Sequence, residues 1–223
     1  MTVILLRHGR STSNTAHTLA GRSEGVDLDE KGREQAQTVV TRIGELPVKA
    51  IVRSPLLRCQ STVAPLATAL GHEPTIDERL TEVDYGTWTG RKIGELVKEP
   101  LWAVVQQQPS AAVFPEGEGL AAVQFRAVLA IREHDRRLAE EHDGDTLWVA
   151  CTHGDVIKAV LADALGMHLD SFQRITADPA SMSVVRYTSV RPFVLHVNHT
   201  GADLGAALHT KPVTDATVGG STD

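Results

Sequence analysis

The sequence predicts an α/β fold: a mostly parallel sheet covered by helices on both faces. Short apolar runs of strand length recur at 2–6, 49–53 and 146–151. Each precedes a stretch whose apolar residues return at helical spacing. Strands joined in that order through helices become parallel neighbours with right-handed crossovers. Composition agrees, because 223 residues with 42% hydrophobic and 22% charged side chains are enough to bury one full core. A single domain over 1–200 is therefore expected.

The elements follow from the chain in order. Thr2 to Leu6 is continuously apolar after Thr2 and rich in β-branched residues, the pattern of a central strand buried on both faces. Asp29 is placed to cap a helix through Ala36, Val39, Val40, Ile43 and Leu46, with Pro47 ending it. Lys49 to Arg53 is the next strand. Ser54-Pro55 then reads as a helix start, with serine as cap and proline at the first position, the helix running to about Leu70. The stretch to Leu80 is loop and strand, and 85–90 is turn-rich. From Ile93 to His142 the spacing is helical, interrupted between Pro109 and Gly119, with 133–141 read as a solvated charged face. Thr146 to Cys151 is a strand and Val156 to Leu165 an amphipathic helix. Ser183 to Tyr187 and Phe193 to Val197 complete the strands. From Gly201 onward, small polar residues predict a flexible tail.

Charge and motif usage exclude several functions. The formal charge is -6 and no basic run exists, so a nucleic-acid partner is not expected. The first apolar run stops at Arg7, too short for a signal or a membrane span, which predicts a cytoplasmic protein with no membrane partner. Cys59 and Cys151 are far apart and read as buried free thiols. His196 and His199 would point to opposite faces of a strand, so they do not make a metal site. Trp88, Trp102 and Trp148 are core or cleft wall.

Ligands of open parallel sheets sit beyond the carboxyl ends of strands. Three such ends carry polar residues here: Arg7-His8-Gly9, Ser54 to Arg58, and Thr152-His153-Gly154. Two histidines and two arginines would then share one crevice. A guanidinium grips two oxygens of a phosphate, and the helix start at Ser54-Pro55 would offer backbone N–H groups to the same anion. A neutral histidine in such a place can attack phosphorus when a carbonyl fixes its other nitrogen. Neighbouring arginines would help to keep it neutral. An acid is needed for the leaving oxygen, and Glu82 is the leading candidate, with Asp84 and Glu78 as rivals.

On these residues the sequence resembles the histidine phosphatase superfamily, also called phosphoglycerate-mutase-like. The resemblance runs in order through Leu6-Arg7-His8-Gly9 with Ser11 and Asn14, then Leu28, Gly32, Gln35 and Ala36. It continues through Ser54-Pro55-Leu56, Arg58, Cys59 and Thr62, then Leu80-x-Glu82-x-Asp84-Tyr85-Gly86-x-Trp88-x-Gly90 and Thr152-His153-Gly154. It implies a three-layer α/β/α sandwich with a helical lid, and His8 as a nucleophile that becomes phosphohistidine. Arg7, Arg58 and His153 would complete the phosphate pocket, Glu82 would act as acid and then base, and Asn14 and Gly21 would contact phosphate or substrate. No metal or other cofactor is implied.

Two departures bear on the substrate. Ala20-Gly21 stands where many members place a hydroxyl or amide residue before glycine. Pro115-Glu116-Gly117-Glu118-Gly119 stands where many small phosphatases carry Gly-Gly-Glu-Ser. The arginine pair of the glycolytic mutases is missing between Gly90 and Gly119, which favours hydrolysis of a small phosphate monoester over a phosphoglycerate mutase reaction. An inactive phosphate-binding module is the remaining alternative. Oligomeric state is not legible.

Overall fold

The structure is a computed structural model and describes residues 1–44, 46–142, 146–201 and 219. In chain order its elements are β1 (Thr2–Arg7), α1 (Thr12–Thr15), α2 (Glu30–Ile43), β2 (Val48–Arg53), α3 (Leu57–Leu70) and β3 (Thr75–Ile76). There follow α4 (Ile93–Leu96), α5 (Pro100–Gln107), α6 (Leu120–His142), β4 (Leu147–Thr152), α7 (Gly154–Ala164), β5 (Met182–Tyr187) and β6 (Pro192–His199). Short 3-10 turns cover Glu78–Leu80, Gly86–Trp88, Pro109–Ala111 and Leu169–Arg174.

The six strands form one sheet in the order β3-β2-β4-β1-β5-β6. The first four are parallel, and β5 and β6 add an antiparallel edge. Side-chain alternation splits the strands between two cores. Ile4, Leu6, Ile51, Val149 and Cys151 pack with α2 and α3, while Val3, Leu5, Val52, Trp148 and Ala150 pack with α6, α7 and the inserted segment. The predicted mostly parallel, three-layered α/β/α arrangement is what the chain forms. Trp88 and Trp102 stack at 6.3 Å, and all three tryptophans belong to the second core. Cys59 and Cys151 are buried free thiols.

Several local expectations need correction. Helix α2 ends at Ile43 rather than near Pro47: Gly44 terminates it at φ 55° with its N–H on the Val40 carbonyl, which leaves Leu46 outside the helix and exposed. Ser54 does not cap α3. Its N–H pairs with the Cys151 carbonyl, prolonging the sheet, and its hydroxyl meets His153, so the helix starts at Leu57 without a side-chain cap. Helix α7 is buried along almost its whole length instead of being amphipathic, because α6, β6 and the 169–174 turn surround it. In the charged stretch 133–141, His134 and Asp135 turn inward, to Asp77 and to the Trp148 N–H. His196 and His199 stand with ring centroids 6.1 Å apart, since Asn198 adopts φ 54° and breaks the strand alternation.

Of the proposed tail, residues 202–218 and 220–223 lie outside the described residues. Among the described residues no helix is long and apolar enough to cross a membrane.

Candidate active site

Sheet register brings the polar strand ends together. Arg7 pairs with Thr152 across β1 and β4, and Arg53 pairs with Cys151 across β2 and β4. The next residues, His8, His153 and Ser54, therefore leave the sheet side by side, with His8 N–H donating to the Thr152 carbonyl at 3.0 Å. The loop after His8 is held by α2. Arg10 N–H donates to Gln35, and the Arg10 guanidinium donates to Asp29 at 2.6 Å, while Asp29 caps Gly32. That close approach needs glycine at 32, because a Cβ there would fall 2.0 Å from the Arg10 carbonyl oxygen.

A cavity opens at this end of the sheet, walled by Arg7, His8, Asn14, Gly21, Arg58 and Glu82 among others. The His8 ring is fixed at both nitrogens. Its Nδ1 lies 2.7 Å from the Gly9 carbonyl, which can only accept, so Nδ1 carries the proton. Nε2 is then the lone-pair nitrogen and accepts from Arg58 Nε at 3.3 Å. Burial, then the charges of Arg58 and Arg7, push the His8 pKa well below the ordinary histidine value. At neutral pH the ring is an uncharged base with its lone pair at the cavity.

His153 stands behind His8, with ring centroids 5.2 Å apart. Its Nε2 meets the Ser54 hydroxyl at 2.8 Å. Among the described residues its Nδ1 has no hydrogen-bond partner, and the Glu82 carboxyl at 3.9 Å is beyond hydrogen-bond reach. Burial and the Arg58 charge hold its pKa well below the ordinary value too. Arg7 and Arg58 are almost completely buried. Arg58 gives Nη2 to the Gly21 carbonyl, and Arg7 gives Nη1 to the Ala177 carbonyl, yet among the described residues Arg58 Nη1 and Arg7 Nε lack partners. A buried guanidinium N–H without an acceptor is costly unless a ligand supplies one. Asn14 uses Oδ1 for the Ser11 N–H and hydroxyl, so Nδ2 is the donor it can offer the cavity.

The structure separates the three acidic candidates. Glu82 is buried and lines the cavity, with the Val83 N–H on Oε1 at 2.9 Å. Burial, and then Asp155, raise its pKa to about 7 against the opposing pull of Arg58, the Val83 N–H and Arg7. Asp84 is half-exposed and tied to the Gly86 N–H and to Arg22, and Glu78 is exposed.

Two residues at this end of the sheet were not legible in the sequence. Asp155, fully buried, accepts from the Tyr85 hydroxyl at 2.8 Å and from Lys158 at 3.0 Å. Its only sequence signal is an acidic residue directly after His153-Gly154. Gly219 reaches the cavity from the far end of the chain, its carbonyl on Arg7 Nη2 at 3.1 Å and its N–H on Asp155 at 3.0 Å. No local pattern marks it. The expected backbone donors at Ser54-Pro55 do not serve the cavity, since the Ser54 N–H is spent on β4.

By fold and site, the chain falls in the class of phosphatases, the hydrolases of phosphoric monoesters. More narrowly, the profile of the histidine phosphatase superfamily (branch 1) matches residues 3–200, and the chain belongs to that superfamily. Phosphoserine phosphatase 1 of Hydrogenobacter thermophilus is 29% identical over 206 residues, covering 89% of this chain and 92% of that protein. A protein of Escherichia coli O1:K1 / APEC named probable phosphoglycerate mutase GpmB is 30% identical over 189 residues, covering 83% and 84%. Among solved structures, Bacillus stearothermophilus YhfR superposes with a TM-score of 0.80 at 24% identity, covering 89% of this chain and 96% of that one. A mycobacterial glucosyl-3-phosphoglycerate phosphatase superposes with a TM-score of 0.80 at 24% identity, covering 89% and 98%.

Proposed function

We propose that the chain hydrolyses a small phosphate monoester in two steps, without a metal, through a phosphohistidine on His8. The observation that supports this reading is that three buried nitrogens without a partner among the described residues, Arg7 Nε, Arg58 Nη1 and His153 Nδ1, belong to residues that adjoin His8: its chain neighbour, its hydrogen-bond donor and its ring neighbour. A tetrahedral oxyanion would satisfy all three while presenting phosphorus to the ring.

In the first step Nε2 attacks phosphorus in line, the P–N bond forming as the ester P–O bond breaks. Arg7, Arg58 and His153 stabilise the charge on the equatorial oxygens. Ser54 donates its hydroxyl hydrogen to His153 Nε2, which leaves Nδ1–H to face the anion. Glu82, protonated below about pH 7, gives its proton to the departing alcohol oxygen. In the second step the Glu82 carboxylate takes a proton from water. The hydroxide so formed breaks the P–N bond, releasing phosphate and restoring His8.

Phosphoserine and 3-phosphoglycerate are the first substrates to try, given the names of the relatives. Rapid quenching with labelled substrate is expected to trap an acid-labile phosphoenzyme. His8→Ala is expected to lose it together with turnover, by roughly 10⁴-fold or more. Wild-type turnover in His8→Ala overturns the mechanism, and loss of activity in EDTA overturns its metal independence. The 30% identity to a probable phosphoglycerate mutase favours a second reading, return of the phosphoryl group to a sugar acid. Product analysis with 3-phosphoglycerate, with and without a bisphosphate primer, separates the two.

A further inference from the structure

We propose that Arg126 and Glu118, neither of which lines the cavity, are positioning residues that hold the proton donor Glu82 in reach of the leaving oxygen. The inference rests on the reading of Glu82 as the acid.

The Glu82 carboxyl depends on its own backbone for its place. Among the described residues its hydrogen bond comes from the Val83 N–H, one residue along. Whatever fixes the main chain at 79–83 therefore fixes the acid. Arg126, on α6, does so with every donor it has. Nη1 donates to the carbonyls of Arg79 at 2.6 Å and Thr81 at 2.8 Å, and Nη2 donates to the Glu82 carbonyl at 3.2 Å. The remaining donors go to Glu118, Nε to Oε1 and Nη2 to Oε2, both at 3.0 Å. A guanidinium has five N–H donors, and all five are used. Lysine, a point charge without the planar fork, cannot reproduce that set.

Glu118 completes the clamp from the other side. Its Oε2 accepts the Asp84 N–H at 3.0 Å and pairs with Arg22 at 2.8 Å, and Arg22 Nε donates to the same Glu82 carbonyl at 3.0 Å. Backbone bonds from Glu118 N–H to the Asp84 carbonyl and from Thr87 N–H to the Pro115 carbonyl fasten the two segments together. Burial alone would raise the Glu118 pKa, but Arg126, the Asp84 N–H and Arg22 pull it below the ordinary value, so it is a carboxylate at neutral pH. The segment 115–119, whose sequence departs from the small-phosphatase pattern, thus acts on the acid rather than on the phosphate. Since an acid must come within hydrogen-bond distance of the oxygen it protonates, a displacement of about 1 Å can cost on the order of 10²-fold.

The test exploits leaving groups. p-Nitrophenolate departs without a proton, whereas an alkoxide needs one. Glu82→Gln, Arg126→Met, Arg126→Lys and Glu118→Gln are compared on p-nitrophenyl phosphate and on the best alkyl ester among phosphoserine, 3-phosphoglycerate and glycerol phosphate. Vanadate inhibition reports the anion site. Arg126→Met is expected to follow Glu82→Gln, losing roughly 10²-fold in kcat on the alkyl ester and less than about tenfold on the aryl ester, with vanadate inhibition unchanged within a few-fold. Arg126→Lys is expected not to rescue the alkyl reaction, and Glu118→Gln to fall between. Should Arg126→Met not fold, the other two variants decide. Equal losses on both esters, or no loss, in the Arg126 and Glu118 variants overturn the clamp while Glu82→Gln remains selective. A Glu82→Gln variant without that selectivity overturns the acid assignment itself, and the clamp with it.

Discussion

Arg126 and the pair Arg7 and Arg58 are guanidinium groups buried to different ends. Arg126 finds an acceptor for each of its five donors within the chain, three on the segment 79–82 and two on the Glu118 carboxylate that faces it. Arg7 and Arg58 are buried more deeply, yet each keeps a nitrogen without an acceptor among the described residues. A finished bonding set belongs to a part that must stay still. An unfinished one, in a chain that tolerates its desolvation cost, belongs where something from solution completes it.

The sharpest way to break this contrast is to remove one arginine of each kind. Arg58→Met is expected to lower turnover by roughly 10²–10³-fold, the scale of losing a donor to transition-state charge. Its melting temperature should be unchanged or higher, because an incompletely paired buried cation is removed. Arg126→Met should do the reverse to stability, losing about 2 kcal/mol as charged hydrogen bonds disappear, while inorganic phosphate still raises its melting temperature. Thermal melts with and without phosphate check both, and a destabilised Arg58→Met that still responds to phosphate would remove the distinction.

The next effect lies in pH. Glu82, raised to about 7 by burial and then by Asp155, would serve as the proposed acid only below that value. Turnover of an alkyl ester should therefore fall as pH rises through about 7, and Glu82→Gln should abolish that limb. His8, kept well below the ordinary histidine value, contributes no acidic limb near 6.5. The same shift has a consequence for stability. A carboxyl whose folded pKa is raised stabilises fully below its unfolded value near 4.5, and that contribution is lost as pH rises through about 7. Glu82→Gln is accordingly expected to melt higher than wild type above pH 7, measurable by thermal denaturation across the pH range.

The smallest effect concerns Gly219, whose carbonyl takes one Arg7 donor at the cavity wall. Its φ is +81°, and a Cβ would come 3.2 Å from Leu19 Cδ1. Gly219→Ala is expected to change the inhibition constant of inorganic phosphate by a few-fold and, because alanine is strained at that φ, to lower the melting temperature by a few degrees. A change as large as that of Arg58→Met would place Gly219 among the residues that complete the anion site.

Much of this was legible because it is local. The apolar run before Arg7 could only be a buried strand, and a charged residue followed by histidine at its end pointed to a ligand. Asp29 capped its helix as its residue type requires. The misreadings arose where a distant partner overrode a local preference. Ser54 has every quality of a cap, but β4 and His153 claimed its backbone and side chain. Helix α7 carries polar residues as a surface helix would, yet Asp155 and Lys158 pair with each other inside the protein. Strand alternation predicts opposite faces for His196 and His199, but the positive φ of Asn198 breaks that alternation. Glu82 was the leading candidate over Asp84 and Glu78 in the sequence, and burial, a property of the folded chain, sets it apart from both.

By itself, the amino-acid sequence determined which chemical groups stand at strand ends and in what order the strands and helices follow, because those depend on neighbours a few positions away. Only the tertiary structure decided that β4 lies between β1 and β2 with Arg7 level with Thr152 and Arg53 level with Cys151, which sets His8 and His153 side by side. It also decided their protonation and that of Glu82, and tied Arg126 to a segment more than forty residues away. Desolvation and long-range hydrogen bonds are properties of packing, and packing exists only once the chain has folded.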